Sequence, residues 1–319
     1  MGEEGMNGSN ANFLSKTDEI PTPTAERLFP VARDWRTEME IHPSELIDLD
    51  RYPISDPESA GYQRMLADVQ KALDAEGCAV LKGFLTPKAV ALLCKEADSV
   101  ASEGHKSFNR TNPYFTQGDP ALPPNHPVNR FFDRSNAFIP ADNFADGAPL
   151  RSIFDFPGFD AFIQKALRAE KFHRYADPLA DVIVNMAEEG AGFPWHFDTN
   201  NFTVTLAIQN AEAGGAFEYA PNTRLGGENF EEVAAILEGR SDRVRVLELE
   251  PGDLQLFKGR YSLHRVAPLK GARPRYVAIF SYVEEPGMVA TPERCKQLYG
   301  RVLPIHYERA GLRADDYID

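Results

Sequence analysis

The sequence predicts an α+β fold, with a helical layer in its first half and a β-sandwich or barrel in its second. Three observations carry this. Short β-rich runs separated by turn signals recur from about residue 181: DVIVNM, NFTVTLAIQN, AFEYA, RVRVLEL, DLQLFKG and RYVAIFSY. One of them alternates cleanly, with Phe202, Val204, Leu206 and Ile208 on one face and Thr203, Thr205, Ala207 and Gln209 on the other. Before residue 175 the apolar positions instead recur at three- and four-residue steps.

Taken in order, residues 1–25 are rich in Gly, Asn, Ser, Glu, Pro and Thr and read as a flexible segment. Residues 26–319 read as a single domain, with 26–175 as helical wrap and lid loop and 176–319 as the β core. From Asp56, the positions Tyr62, Met65, Leu66, Val69 and Leu73 mark a helix that Gly77 closes. CAVLKGF is a short strand, and Thr86-Pro87 opens a second helix as cap and first residue. Residues 105–150, rich in Asn, Pro, Phe and Asp, read as a long irregular stretch with a strand near Arg130–Phe138. FDAFIQKALRA is helical, Gly214-Gly215 marks a turn, and Phe230–Gly239 reads as a helix inserted between strands.

Composition excludes some functions. Lys plus Arg total 34 against 48 Asp plus Glu, a net charge of −14 over 319 residues. That balance argues against nucleic acid or an anionic membrane surface as partner. No run of about 18 apolar residues is present. The N-terminus has no apolar signal region, and Cys78, Cys94 and Cys295 form no paired motif, which fits a reducing cytoplasm.

Two of the seven histidines stand out. His196 and Asp198 are two apart at a strand end, so their side chains point the same way. An imidazole and a carboxylate placed so are two-thirds of the facial set that holds Fe(II) with open positions. His264, 68 residues on and after the Pro251-Gly252-Asp253 turn, is the candidate third ligand. Arg275 opens the strand RYVAIFSY, where a guanidinium can grip a carboxylate with two parallel hydrogen bonds. Arg273, just before Pro274, is its rival. Each of these residues alone has an ordinary structural reading; their order and their common place in the β half favour the functional one.

Two segments, WHFDTNNFTVTLAIQNAEAGGAFEYAPNTR and PGDLQLFKGRYSLHRVAPLKGARPRYVAIFSYVEEP, resemble the Fe(II)/2-oxoglutarate-dependent oxygenases. They are most similar to the bacterial subgroup of free-amino-acid halogenases and hydroxylases. The resemblance implies a double-stranded β-helix core of the jelly-roll, cupin-like type, with His196, Asp198 and His264 as catalytic iron ligands. Arg275 would bind the far carboxylate of the co-substrate 2-oxoglutarate, and O2 would complete the iron. Halogenases of the subgroup carry Gly where this chain has Asp198, so the resemblance implies hydroxylation of an unactivated C–H bond in a free amino acid or small derivative. The same oxidation can end instead in desaturation or ring closure. A non-catalytic ligand-binding barrel and a cupin-like metal hydrolase, which gives Arg275 no role, are the competing classes. A homodimer is compatible with all of these.

Further candidates surround this set. Thr205 lies on an inward strand face and is a candidate co-substrate contact. Ser281, six beyond Arg275, shares its face, and Trp195 precedes the metal histidine. Asn109, Arg110 and Arg134 lie in the expected lid, and Arg224 follows AFEYAPN, where it would close over the substrate.

Overall fold

The computed structural model describes His42 and residues 45–309. The expected flexible segment 1–25 lies outside the described residues.

Local chemistry sets the first elements. Ser59 Oγ accepts from Tyr62 N to start α1 (Ala60–Glu76), and Gly77, at φ 62°, ends it. The chain continues through β1 (Cys78–Leu81) into α2 (Pro87–Val100), capped by Thr86 and opened by Pro87. Then come β2 (His105–Thr111), β3 (Phe132–Ile139), α3 (Pro149–Phe154), α4 (Phe159–Leu167) and the short β4 (His173–Arg174). The second half holds β5 (Val182–Ala187), β6 (Phe193–His196), β7 (Thr203–Gln209), β8 (Ala213–Gly214), β9 (Phe217–Ala220) and α5 (Phe230–Leu237). It ends with β10 (Arg245–Leu247), β11 (Leu254–Phe257), β12 (Leu263–Val266), β13 (Leu269–Lys270), β14 (Arg275–Phe280), β15 (Tyr282–Val283), α6 (Pro292–Tyr299) and α7 (Pro304–Glu308).

The strands form a seven-stranded sheet ordered β1-β11-β7-β14-β5-β3-β2 and a four-stranded sheet ordered β10-β9-β12-β6, all of whose ladders are antiparallel. Together they make a double-stranded β-helix. The period of two explains the layering. Val182, Val184, Val204, Leu206, Tyr276, Ala278 and Phe280 turn outward and pack on Tyr62, Leu73, Leu93, Phe159 and Phe162 of the helices. The alternate residues of the same strands face a cavity between the sheets. Phe280 stacks on Phe154 with ring centroids 5.3 Å apart, joining α3 to the large sheet.

The stretch 105–150 differs from its expectation. It contributes β2 and β3, paired from His105↔Phe138 to Thr111↔Phe132 at the edge of the large sheet. With β1, three of the seven strands come from before residue 140, so the sheet crosses the expected boundary at 175. HKSFNRT hid this because an edge strand with a wetted face needs no apolar alternation. The irregular parts are residues 112–131 and 140–148, each with one short 3-10 turn. In the first of these Asn112 organises the loop: its amide donates to Thr116 and Val128, and its carbonyl accepts from Tyr114 N and Thr116 N. The end of the described chain is helical rather than β. Asp177, fully enclosed, accepts from Leu179 N, Ala290 N and His306 Nε2 and so fastens the α6–α7 segment to the core.

Glu96 on α2 is buried, and one of its carboxyl oxygens accepts from Leu150 N at the start of α3 while the other has no partner among the described residues. Burial pushes its pKa to about 8, against the opposing pull of Leu150 N–H and Arg151. The unfolded chain releases this proton near 4.5, so between about 4.5 and 8 the unfolded state binds fewer protons, and stability falls as pH rises through that window. Glu96→Gln is expected to abolish that fall. Urea unfolding should find the variant near parity at the acid end and more stable by roughly 1–3 kcal/mol above pH 8.

Candidate metal centre and co-substrate cavity

β6 and β12 are neighbours in the small sheet, and their register sets His264 directly opposite His196. The imidazole centroids are 4.0 Å apart. In each ring Nδ1 lies against a backbone carbonyl: Pro194 O at 2.8 Å for His196 and Ser262 O at 2.9 Å for His264. A carbonyl can only accept, so both Nδ1 atoms carry a proton, and in the neutral form of each ring Nε2 is the nitrogen left to bind a metal.

Asp198 completes the set just past the strand. Its N–H donates to Gly259 O at 3.1 Å, and Oδ2 accepts from Thr203 Oγ1 at 2.5 Å. That leaves Oδ1 facing the two Nε2 atoms, 3.6 Å from His196 and 3.4 Å from His264. Gly259 makes the room: a Cβ there would lie 1.8 Å from Asp198 Oδ2. Burial and the neighbouring His264 push the His196 pKa down to about 4, so its imidazole is neutral. Burial opposes ionisation of Asp198, but the two imidazoles outweigh it and hold the carboxyl well below the usual range. Three ligand-type atoms thus converge within 4.8 Å, an arrangement that suits a cation in place of the protons they would otherwise share. Two imidazole nitrogens and one carboxylate oxygen fit Fe(II).

A second cluster, Asp177, Cys295 and His306, has the residue types of a metal site but a different chemistry. His306 Nδ1 accepts from Leu303 N at 2.9 Å, so Nε2 carries the proton and donates it to Asp177. This cluster is internally satisfied and structural.

The cavity extends from this trio along the inner face of the large sheet. Arg275, the first residue of β14, is buried, and within the described residues its guanidinium has neither a hydrogen bond nor an ion pair. Burial lowers its pKa to about 10, which leaves it charged at neutral pH. Arg273 lies outside the cavity, exposed, with one nitrogen 3.2 Å from Ala211 O. Of the two arginines, Arg275 faces the ligands. Thr205 lines the cavity and donates to Gln255 Oε1 at 2.9 Å; Ser281 lines it at the far end of the Arg275 face. Arg134, on β3, also lines it, buried with its guanidinium 3.9 Å from the Phe193 ring centre. Burial and the charge of Arg294 push the Arg134 pKa down to about 9.

The other candidates are not brought to the cavity. Trp195 points to the opposite face of β6 and carries Arg265 over its ring at 4.8 Å. Arg110 is exposed on β2 and pairs with Asp133 at 3.4 Å, and Asn109, its neighbour on that strand, does not line the cavity either. Arg224 is fully buried, stacked on Phe197 at 4.1 Å and donating to Arg260 O, so it holds a turn rather than closing one. Sequence reasoning missed Phe115, Gln255 and Arg294. Arg294 had a signal, because Thr291-Pro292 is a helix start, and Thr291 Oγ1 indeed accepts from Arg294 N.

A two-histidine, one-carboxylate centre between the sheets of a double-stranded β-helix defines an Fe(II)/2-oxoglutarate-dependent oxygenase. The family model for halogenase D matches residues 132–295, and the chain belongs to that family. It is an enzyme that uses iron and 2-oxoglutarate. Among solved structures, it is similar to the epimerase SnoN from nogalamycin biosynthesis (14% identity, 70% of this chain, 82% of that one, TM-score 0.49). It is also similar to AviO1 from Streptomyces viridochromogenes Tue57 (16% identity, 71% and 97%, TM-score 0.49) and a Pseudomonas putida prolyl-4-hydroxylase (15%, 67% and 96%, TM-score 0.39). No curated protein matches the chain in sequence. Among the described residues, no helix is long and apolar enough to cross a membrane.

Two substitutions probe the site. Gly259→Ala should displace the Asp198 carboxylate and weaken iron binding by about ten- to a hundredfold, seen by calorimetric titration of a variant whose circular dichroism is unchanged. Arg275→Ala should weaken 2-oxoglutarate binding by about a hundredfold or more, since truncating one partner of a buried charge pair costs roughly 2–5 kcal/mol. Arg273→Ala is expected to leave that affinity unchanged.

Proposed function

We propose that this enzyme hydroxylates an unactivated C–H bond of an amino acid or small amino-acid derivative. The single observation that supports hydroxylation over halogenation is the Asp198 carboxylate. It occupies the third ligand position with one oxygen held by Thr203 and the other turned to both Nε2 atoms, so a halide finds no vacated place there. When bound, Fe(II) with 2-oxoglutarate and O2 supplies the oxidising power, and the co-substrate leaves as succinate and CO2.

The protein's part is placement. His196, Asp198 and His264 would hold the metal, and the Nδ1–H bonds to Pro194 and Ser262 keep both imidazoles turned toward the position between them. Arg275 takes the far carboxylate of 2-oxoglutarate, and Thr205, oriented by Gln255, lies on the same wall. Phe115, Phe193, Phe217 and Phe257 surround the imidazoles and keep the site dry. No acid–base pair is needed, because the cofactor carries the difficult chemistry.

Mass spectrometry of turnover with iron, 2-oxoglutarate and a panel of amino acids and derivatives tests this. A product heavier by one oxygen, formed with stoichiometric succinate, is the expected result. A chlorinated product would overturn it, and loss of two hydrogens would replace hydroxylation with desaturation or ring closure.

A further inference from the structure

The two histidines and the aspartate of the trio are held by different means. His196 and His264 stand opposite each other on paired strands, so the ladder of the small sheet fixes them. Asp198 has no such support: β6 ends at His196 and β7 begins at Thr203, which leaves the carboxylate on a connecting segment. A functional group on a loop is only as well placed as its surroundings hold it.

Arg224 and Arg260 are the two largest fully buried side chains among the described residues, each at 0% exposure. Neither lines the cavity. Burying a guanidinium is expensive, and an apolar side chain of similar volume would fill the same space at lower cost. Packing alone therefore does not account for them.

Their contacts converge on the segment of Asp198. The guanidinium of Arg260 donates to Thr199 O, the carbonyl directly after the aspartate. The guanidinium of Arg224 lies 4.1 Å from the ring centre of Phe197, the residue directly before it. The two arginines are also joined to each other, because Arg224 Nε donates to Arg260 O. Arg224 N donates to Tyr261 O at 3.0 Å, and Glu228 faces the Arg224 guanidinium at 3.3 Å. Arg260 belongs to the turn 258–261, closed by Tyr261 N on Lys258 O at 3.0 Å, and the same turn offers Gly259 O to Asp198 N. One closed turn thus grips the backbone at the aspartate and just after it, while its brace packs on the residue just before.

Resting on the metal-centre reading above and deepening it, we infer that Arg260 and Arg224 form a buried bracket that positions Asp198 for the metal, in place of the strand ladder that the aspartate lacks. Arg260 is the positioning residue, and Arg224 is the brace that holds it. Both act through the carboxylate.

The test is calorimetric titration of the untagged, metal-free protein with Ni(II). This ion is stable in air and binds nitrogen and oxygen ligands more tightly than Fe(II), so a site reduced to two histidines stays measurable. Arg260→Met keeps the stem, removes the donors and should bind Ni(II) about tenfold or more weakly. Arg260→Lys keeps one donor and should lose less. In an Asp198→Ala background neither substitution should weaken binding by more than about twofold, because the carboxylate through which the bracket acts is gone. Affinity for 2-oxoglutarate, assigned to Arg275, should be unchanged in both Arg260 variants. If Arg260→Met does not fold, Arg260→Lys carries the same cycle, with a loss of at least about threefold that disappears beside Asp198→Ala. Wild-type affinity in the Arg260 variants, a loss that persists in full beside Asp198→Ala, or a parallel loss of 2-oxoglutarate binding overturns the inference. Wild-type protein that binds no Ni(II), or binds it no better than Asp198→Ala, overturns the metal-centre reading and the bracket with it; a normal wild type with indifferent Arg260 variants overturns the bracket alone.

Discussion

A single carboxylate in the cavity organises the centre of this protein. Asp198 must be ionised and aimed at two imidazoles, and several features of the surrounding chain serve that requirement. Gly259 lacks a side chain where one would collide with the carboxylate. Thr203 occupies the oxygen that does not face the histidines. The antiparallel pairing of β6 with β12 brings His264 across from His196, and the two backbone carbonyls fix which nitrogen of each ring is bare. None of these contacts is strong alone. A carboxylate enclosed without them would take up a proton and lose its role as a ligand.

The same division of labour runs through the two faces of the large sheet. Outward residues of β5, β7 and β14 are apolar and join the helices in the main core. Inward residues of the same strands, among them Asn185, Thr205 and Arg275, are polar enough to meet ligands. Rigidity on one side positions chemistry on the other. A binding wall built on strands whose backs are packed against helices holds its side chains more firmly than one built on loops.

Much of this was legible in the sequence because it is local. The alternation from Phe202 to Gln209, the cap at Thr86-Pro87 and the closing Gly77 follow from residues within a few positions of each other. The spacing of His196 and Asp198 has the same character. The partner of that pair and the arginine on β14 were reached by combining order and position. What escaped was non-local or masked by polarity. HKSFNRT forms an edge strand whose stability comes from β3, and nothing in its own composition announces that. Trp195, Arg224, Asn109 and Arg110 were read by their chemistry, whereas their placement depends on which face of a strand or turn the assembled sheets leave open. Arg294 reaches the cavity from a helix far along the chain, and only the tertiary fold unites it with Arg134.

The Asp177 cluster joins the last part of the cavity wall to the core. His196, Asp198 and His264 precede α6 in the chain, so synthesis from the N-terminus delivers all three before the wall that carries Arg294, Leu298 and Tyr299. That wall is tied to the core where Asp177 accepts from the backbone N–H of Ala290 and the ring of His306. A nascent chain thus holds the whole trio before it holds the wall that completes the cavity around it.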